Sequence, residues 1–98
     1  MTVRLSRHAV GDLQNACDHY AEADPALRMR FLADLDLVVD RIVTFPNGAP
    51  PVEGFLGLRR ARMRQFPFGV YYRAEDTGDP VIIRILHTRR ERVGGLPG

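Results

Sequence analysis

The spacing of apolar residues along this 98-residue chain changes period near its middle. Before Phe45 they recur at helical intervals. Val10, Leu13, Ala16, Cys17, Tyr20 and Ala21 form one stripe; Leu27, Phe31, Leu35, Val38, Val39 and Ile42, broadened by Leu32 and Val43, form a second. Each stripe predicts an amphipathic helix with one buried side. Start signals sit where they are needed: Ser6 can cap a helix beginning at Arg7, and Asp24-Pro25 pairs an N-cap with a first-turn proline. Gly11 weakens the first helix, and Phe45-Pro46-Asn47-Gly48 ends the second. Thr2 to Leu5 reads as a short opening strand.

After Leu58 the period becomes two. Ala61 and Met63 alternate with Arg60, Arg62 and Arg64; Val70, Tyr72 and Ala74 alternate with Tyr71 and Arg73; Val81, Ile83 and Ile85 alternate with Ile82, Arg84 and Leu86. Successive strand side chains point to opposite faces, so each segment has one apolar side. Phe66-Pro67-Phe68-Gly69 and Glu75 to Pro80 are short connections, which makes the three strands an antiparallel meander. Setting Tyr72 against Ile83 and Tyr71 against Arg84 keeps apolar opposite apolar, whereas a one-residue slip would bury arginines. Pro46 to Gly57, rich in proline and glycine, is a connector able to fold over a neighbour.

The order is therefore β-α-α-β-β-β, an α+β fold in which an N-terminal strand and a helical hairpin cover one face of a small, mainly antiparallel sheet. Residues 1–98 make one domain, with 91–98 expected as a flexible tail. The other face is then expected to stay open, carrying Arg60, Arg62, Arg64, Tyr71, Arg73 and Arg84, with Ile82 and Leu86 among them.

Charge sharpens that expectation. All fourteen cations are arginine; residues 1–49 hold five against seven acids, and residues 50–98 hold nine against five. The sheet half is the basic half. Alternating arginines are common on solvated strands, but a face that mixes Arg and Tyr with Ile and Leu has the composition of a protein-binding surface. The same patch could neutralise phosphates, and an acidic protein segment would match it equally well. One cysteine, Cys17, excludes an internal disulfide and suits a reducing cytoplasm, and no apolar run approaches a membrane span. His8, Asp12 and His19 lack the close spacing of a metal site, and no cofactor motif is present. Cys17 lies on an apolar stripe, and capping accounts for Ser6, the only serine.

Three elements taken in order carry a resemblance: Leu58-Arg59-Arg60, the Phe66-Pro67-Phe68 turn running into Tyr71-Tyr72-Arg73, and Leu86-His87-Thr88-Arg89-Arg90. With the two helices before them, they resemble the RelE/ParE superfamily of bacterial type II toxins, the ParE-like branch above all, over Val3 to Arg90. The resemblance implies a cytoplasmic toxin that forms a hetero-oligomer with a small ParD-like antitoxin, whose C-terminal segment covers the toxin's sheet. For this chain it makes Arg60, Arg62, Arg64, Tyr71, Arg73, Ile82, Arg84 and Leu86 the expected antitoxin contacts. The tail arginines Arg89, Arg90 and Arg92 become candidate target contacts.

Two activities occur on that fold. RelE-like members cut messenger RNA on the ribosome; ParE-like members are similar to proteins that poison DNA gyrase without hydrolytic chemistry. A nuclease needs a base, cations for the phosphorane and an acid. Here His87 and Tyr71, beside Arg62, Arg64 and Arg84, are the set that could serve, with Glu53 and Glu91 as spare carboxylates. The RelE-like lysines and a tyrosine after the last strand are missing. Gyrase inhibition through protein binding, with no catalytic residue, is the expectation that results, ahead of an mRNA endoribonuclease and of a non-enzymatic nucleic-acid-binding domain.

Overall fold

A computed structural model describes residues 3–74 and 79–90. The tail from Glu91 on, including Arg92, together with Thr2 and most of the Glu75–Pro80 connection, lies outside the described residues. The elements are β1 (Arg4–Leu5), α1 (Arg7–Ala23), α2 (Pro25–Thr44), β2 (Leu58–Arg62), β3 (Phe68–Arg73), β4 (Val81–His87) and a 3-10 turn at Thr88–Arg90. The four-stranded sheet has the order β1-β4-β3-β2, with β1 parallel to β4 and the other pairs antiparallel. The expected element order and α+β class are what the chain forms.

Local chemistry explains the hairpin. Asp24 is shared by both helices: its backbone N–H closes α1 on the Tyr20 carbonyl (2.9 Å), and its side chain accepts from the Ala26 N–H that opens α2 (2.9 Å). One residue thus satisfies two helix ends and forces the chain to reverse. Ser6 has a comparable double task. Its Oγ accepts from the Ala9 N–H (3.1 Å) and donates to the Ile83 carbonyl (2.7 Å), which fixes the start of α1 against β4.

The main core lies between the hairpin and one sheet face. Ala9, Ala16 and Cys17 of α1 and Phe31, Leu35, Val38 and Ile42 of α2 meet Ala61, Met63, Phe68, Val70, Tyr72, Ile82 and Ile85. The expected stripe of α2 is the buried one. In α1 the buried line is rotated: Ala9 is fully buried and Val10 is 41% exposed. Small side chains at Ala9 and Ala16 let this helix lie close to the sheet, and that proximity outweighs the larger area that Val10 could bury.

A second residue escaped the sequence pattern. Asp34 sits among the apolar positions of α2 and is 2% exposed. Its Oδ2 accepts from the backbone N–H groups of Gln65 (2.9 Å) and Phe66 (3.2 Å), so a carboxylate inside the helix caps the turn between β2 and β3. Replacing Asp34 with alanine leaves two amide donors without their acceptor. The expected cost is about 2 kcal/mol, since a buried donor left unpaired costs roughly 1–3 kcal/mol. Urea unfolding of the D34A variant checks this; a loss below about 0.5 kcal/mol would mean that water replaces the carboxylate.

Strand β4 departs from simple alternation. Tyr71 faces Arg84 as expected, but Tyr72 faces Ile82 rather than Ile83, because the register shifts between Tyr71 and Tyr72. Ile83 is the extra residue of a β-bulge, which switches faces on either side of it. Ile82 therefore joins Ile85 in the main core, and Ile83 turns to the opposite face with Leu86.

That opposite face is not open either. Leu58, Tyr71 and Leu86 form a second, smaller core, covered by Val52 and Phe55 of the connector. The sequence placed Tyr71 and Leu86 on an exposed surface, whereas Tyr71 is 0% exposed and Leu86 is buried. A tyrosine ring and a leucine on one face hold enough apolar area to draw the connector over them.

Candidate functional site

The connector is held by Arg59 and by Arg73, the second of which was expected to bind a partner. Pro51 bridges Arg59 in antiparallel fashion, with Val52 N–H donating to the Leu58 carbonyl (2.8 Å) and Arg60 N–H to the Pro50 carbonyl (3.1 Å). Arg59 donates through Nη1 to the carbonyls of Asn47 (3.1 Å) and Ala49 (2.7 Å), and Arg73 donates through Nη1 to that of Leu56 (2.6 Å). Gly57, at φ +77°, lets the chain turn where an added Cβ would lie 3.4 Å from that Arg73 nitrogen. Arg73 is thus a clamp on the loop.

Arg84 is committed elsewhere as well. Its Nε and Nη2 donate to Asp12 of α1 at 2.8 and 3.0 Å, and the Ile85 N–H donates to the same carboxylate at 2.9 Å. The hydrogen bonds to Asp12 raise the Arg84 pKa, against an opposing effect of burial, with a smaller Coulomb contribution from Asp12. The pair is a tie between helix and sheet.

An accessible cleft lies at the β2 edge. A cleft of about 500 Å³ is bounded by the end of α2 (Arg41, Ile42, Phe45), the connector (Gly48, Ala49, Pro50) and β2 (Arg60, Ala61, Arg62), with Tyr72 on its inner wall. The Tyr72 hydroxyl donates to the Pro46 carbonyl (2.7 Å). Burial raises its pKa, and a backbone hydrogen bond with Ala49 and the nearby Arg59 charge oppose that. Tyr72 is therefore a neutral, structural wall at physiological pH. Phe45 is 67% exposed at the rim, and Arg41 reaches across to the Arg62 carbonyl at 2.8 Å. Apolar walls ringed by three guanidinium groups suit an aliphatic or aromatic side chain flanked by carboxylates. Arg64 is exposed just beyond β2, outside the lining of this cleft.

The expected contact set thus divides. Arg60, Arg62 and Arg64 lie along one accessible edge; Arg73 and Arg84 hold the fold; Tyr71, Ile82 and Leu86 are buried. The set named for RNA cleavage also divides. His87 is at the far end of β4, packed edge-on against Phe68 (5.2 Å), while Arg62 and Arg64 belong to the opposite edge. Strand β3 lies between, a separation of roughly 10 Å or more at two strand spacings. Buried Tyr71 lies on β3, between these edges. Arg89 is exposed, and Arg90 lies in the 3-10 turn after β4. Arg41 and Phe45 were missed in the sequence because they lie on the helical half; the aromatic at the end of α2 was the available signal.

A helical hairpin over a small mixed sheet, with an arginine-rimmed apolar cleft at one edge, defines a small α+β domain. A family model of the ParE toxin of type II toxin-antitoxin system, parDE, matches residues 3–92, and the chain belongs to this family. Among solved structures it is similar to a chain of the chromosomal ParDE TA system from P. aeruginosa, with a TM-score of 0.74 and 24% identity over 89% of this chain and 95% of that one. No curated protein sequence matches significantly. No described helix is long and apolar enough to cross a membrane.

Proposed function

We propose that this protein is neutralised by a ParD-like antitoxin and arrests growth by inhibiting DNA gyrase through protein contact. Membership of the ParE toxin family over residues 3–92 carries the reading. The antitoxin contributes an acidic segment with an apolar anchor. The anchor enters the cleft beside Phe45 and Ile42, its carboxylates meet Arg41, Arg60 and Arg62, and Arg64 extends the contact. The complex forms, and the free protein acts, in the cytoplasm.

Charge reversal at the cleft tests the first half. The Arg62→Glu variant should lose at least about tenfold in antitoxin affinity, equivalent to about 1.4 kcal/mol, and the loss should shrink as salt is added. Titration calorimetry against a cognate ParD-like antitoxin measures it; unchanged affinity would remove the cleft from the interface.

The second half rests on Arg89, Arg90 and Arg92 as target contacts. Inhibition of DNA supercoiling by purified gyrase, run beside ribosome-dependent cleavage of messenger RNA, distinguishes the two activities of this fold. Gyrase inhibition without cleavage is expected, and the reverse result overturns the proposal. Truncation after Glu91 should lower toxicity while leaving antitoxin affinity unchanged, and full growth arrest by the truncated chain would exclude the tail.

A further inference from the structure

The cleft at the β2 edge is formed in the free chain, with its rim already tied in place. Its floor of Ile42, Ala61 and Tyr72 is buried and belongs to the main core, so a ligand meets the rim instead. There Phe45 is 67% exposed, and Gly48 and Pro50 of the connector are exposed as well. The Gly48 N–H donates to the Phe45 carbonyl at 2.9 Å, in a turn so close that an added Cβ at Gly48 would lie 3.1 Å from the Phe45 Cβ. Beyond that turn, Arg59 Nη1 holds the Ala49 carbonyl (2.7 Å) and the Arg60 N–H holds the Pro50 carbonyl (3.1 Å). A rim that needs no rearrangement loses little binding energy to ordering, so even a small ligand can be retained.

Charge and surface select the ligand. Among the described residues the lining holds three guanidinium groups and no carboxylate, which favours an anion. Arg41 makes one hydrogen bond among the described residues, from Nη2 to the Arg62 carbonyl (2.8 Å), and its buried Nε meets no acceptor. That bond fixes the guanidinium across the cleft and leaves it donors for a carboxylate. The apolar surface within reach is made of two rings, those of Phe45 and Pro50, and ring surfaces suit an aromatic group. The cleft of about 500 Å³ falls within the roughly 300–1,000 Å³ of small-molecule sites.

We propose that this cleft binds a small aromatic carboxylate, with its ring against Phe45 and Pro50 and its carboxylate at Arg41 and Arg62. An aromatic anchor next to an acidic residue would present the same two groups, so such a ligand competes with the antitoxin. The competition rests on the antitoxin reading of the cleft, whereas binding of the ligand by the free chain does not.

Amide NMR of the full chain tests this, using phenylacetate as the probe, with phenethyl alcohol for the ring alone and acetate for the charge alone. Phenylacetate should shift the signals of Gly48 and Ala49 saturably, and bind at least about tenfold more tightly than either of the other two. The Phe45→Ala and Arg62→Ala variants, both at exposed positions, should each weaken phenylacetate binding severalfold, with Arg28→Ala near the start of α2 binding as the parent does. The proposal is overturned by the absence of saturable shifts, by equal affinity for acetate or phenethyl alcohol, or by unaltered binding in both cleft variants. Saturating phenylacetate should also weaken antitoxin binding; if it binds as expected and antitoxin affinity is unchanged, the ligand site stands and the antitoxin reading of this cleft falls.

Discussion

Phe31→Ala is expected to remove about 4 kcal/mol of stability, the largest loss from any single side chain in this fold. Phe31 is fully buried, and its ring lies 5.5 Å from Tyr20, 5.3 Å from Phe66 and 5.2 Å from Phe68. These four rings join both helices to the sheet and to the turn before β3. Truncation of a buried phenylalanine costs roughly 3–5 kcal/mol, the lost transfer energy plus the cavity left behind. Edge-to-face contacts add somewhat to it. The cavity cannot close cheaply, because its walls come from elements fixed independently by Ser6, Asp24 and Asp34. A domain of this size has a total stability of roughly 5–15 kcal/mol, so the variant keeps a small margin at best. Its melting temperature should fall by roughly 15–30 °C. Equilibrium urea unfolding is the direct measurement; a loss below about 2 kcal/mol would show that the ring cluster repacks. Phe31→Leu, which refills most of the volume, should lose less.

Asp12→Ala should cost about 3 kcal/mol by a different route. One carboxylate accepts three hydrogen bonds, two from Arg84 and one from the Ile85 N–H, with side-chain exposures of 13% for Asp12 and 25% for Arg84. Removing one partner of a buried pair costs roughly 3–5 kcal/mol, and the partial exposure of this pair puts it at the lower end. An amide of β4 also loses its acceptor. Because the Arg84 pKa is raised, its contribution is intact below the unfolded-state value and is lost only as pH rises through the folded value, at the alkaline end. The loss at neutral pH therefore comes from broken contacts, with no part due to Arg84 titrating. A double-mutant cycle with Arg84→Met should show strong coupling, since with the guanidinium gone the carboxylate keeps only the amide. Additive losses would mean that the two residues act separately.

Much of this structure could be read from residues close together in the chain. Ser6 and Asp24-Pro25 marked helix starts, the Phe31–Ile42 stripe identified the buried side of α2, and alternation found all three strands of the meander. Prolines and glycines marked the connector. These signals are legible because capping, helical period and pleat are set by a few neighbouring residues. The candidate site was legible only as a set of arginines. Arg60 and Arg62 do line a cleft, but its walls also include Arg41 and Phe45 from the helical half.

The sequence by itself determined which segments become helix and strand, their order, the basic character of the sheet half and the family resemblance. Tertiary structure alone decided what each arginine does. It turned Arg59 and Arg73 into clamps on the connector and gave Arg84 to Asp12, seventy-two positions away. It buried Tyr71 and Leu86 under Val52 and Phe55, and it moved Ile82 into the core through a bulge at Ile83. The physical reason is common to these cases. A bulge, a loop laid over a sheet and an ion pair between a helix and a strand each depend on free energy gained between residues remote in sequence, which no local period records.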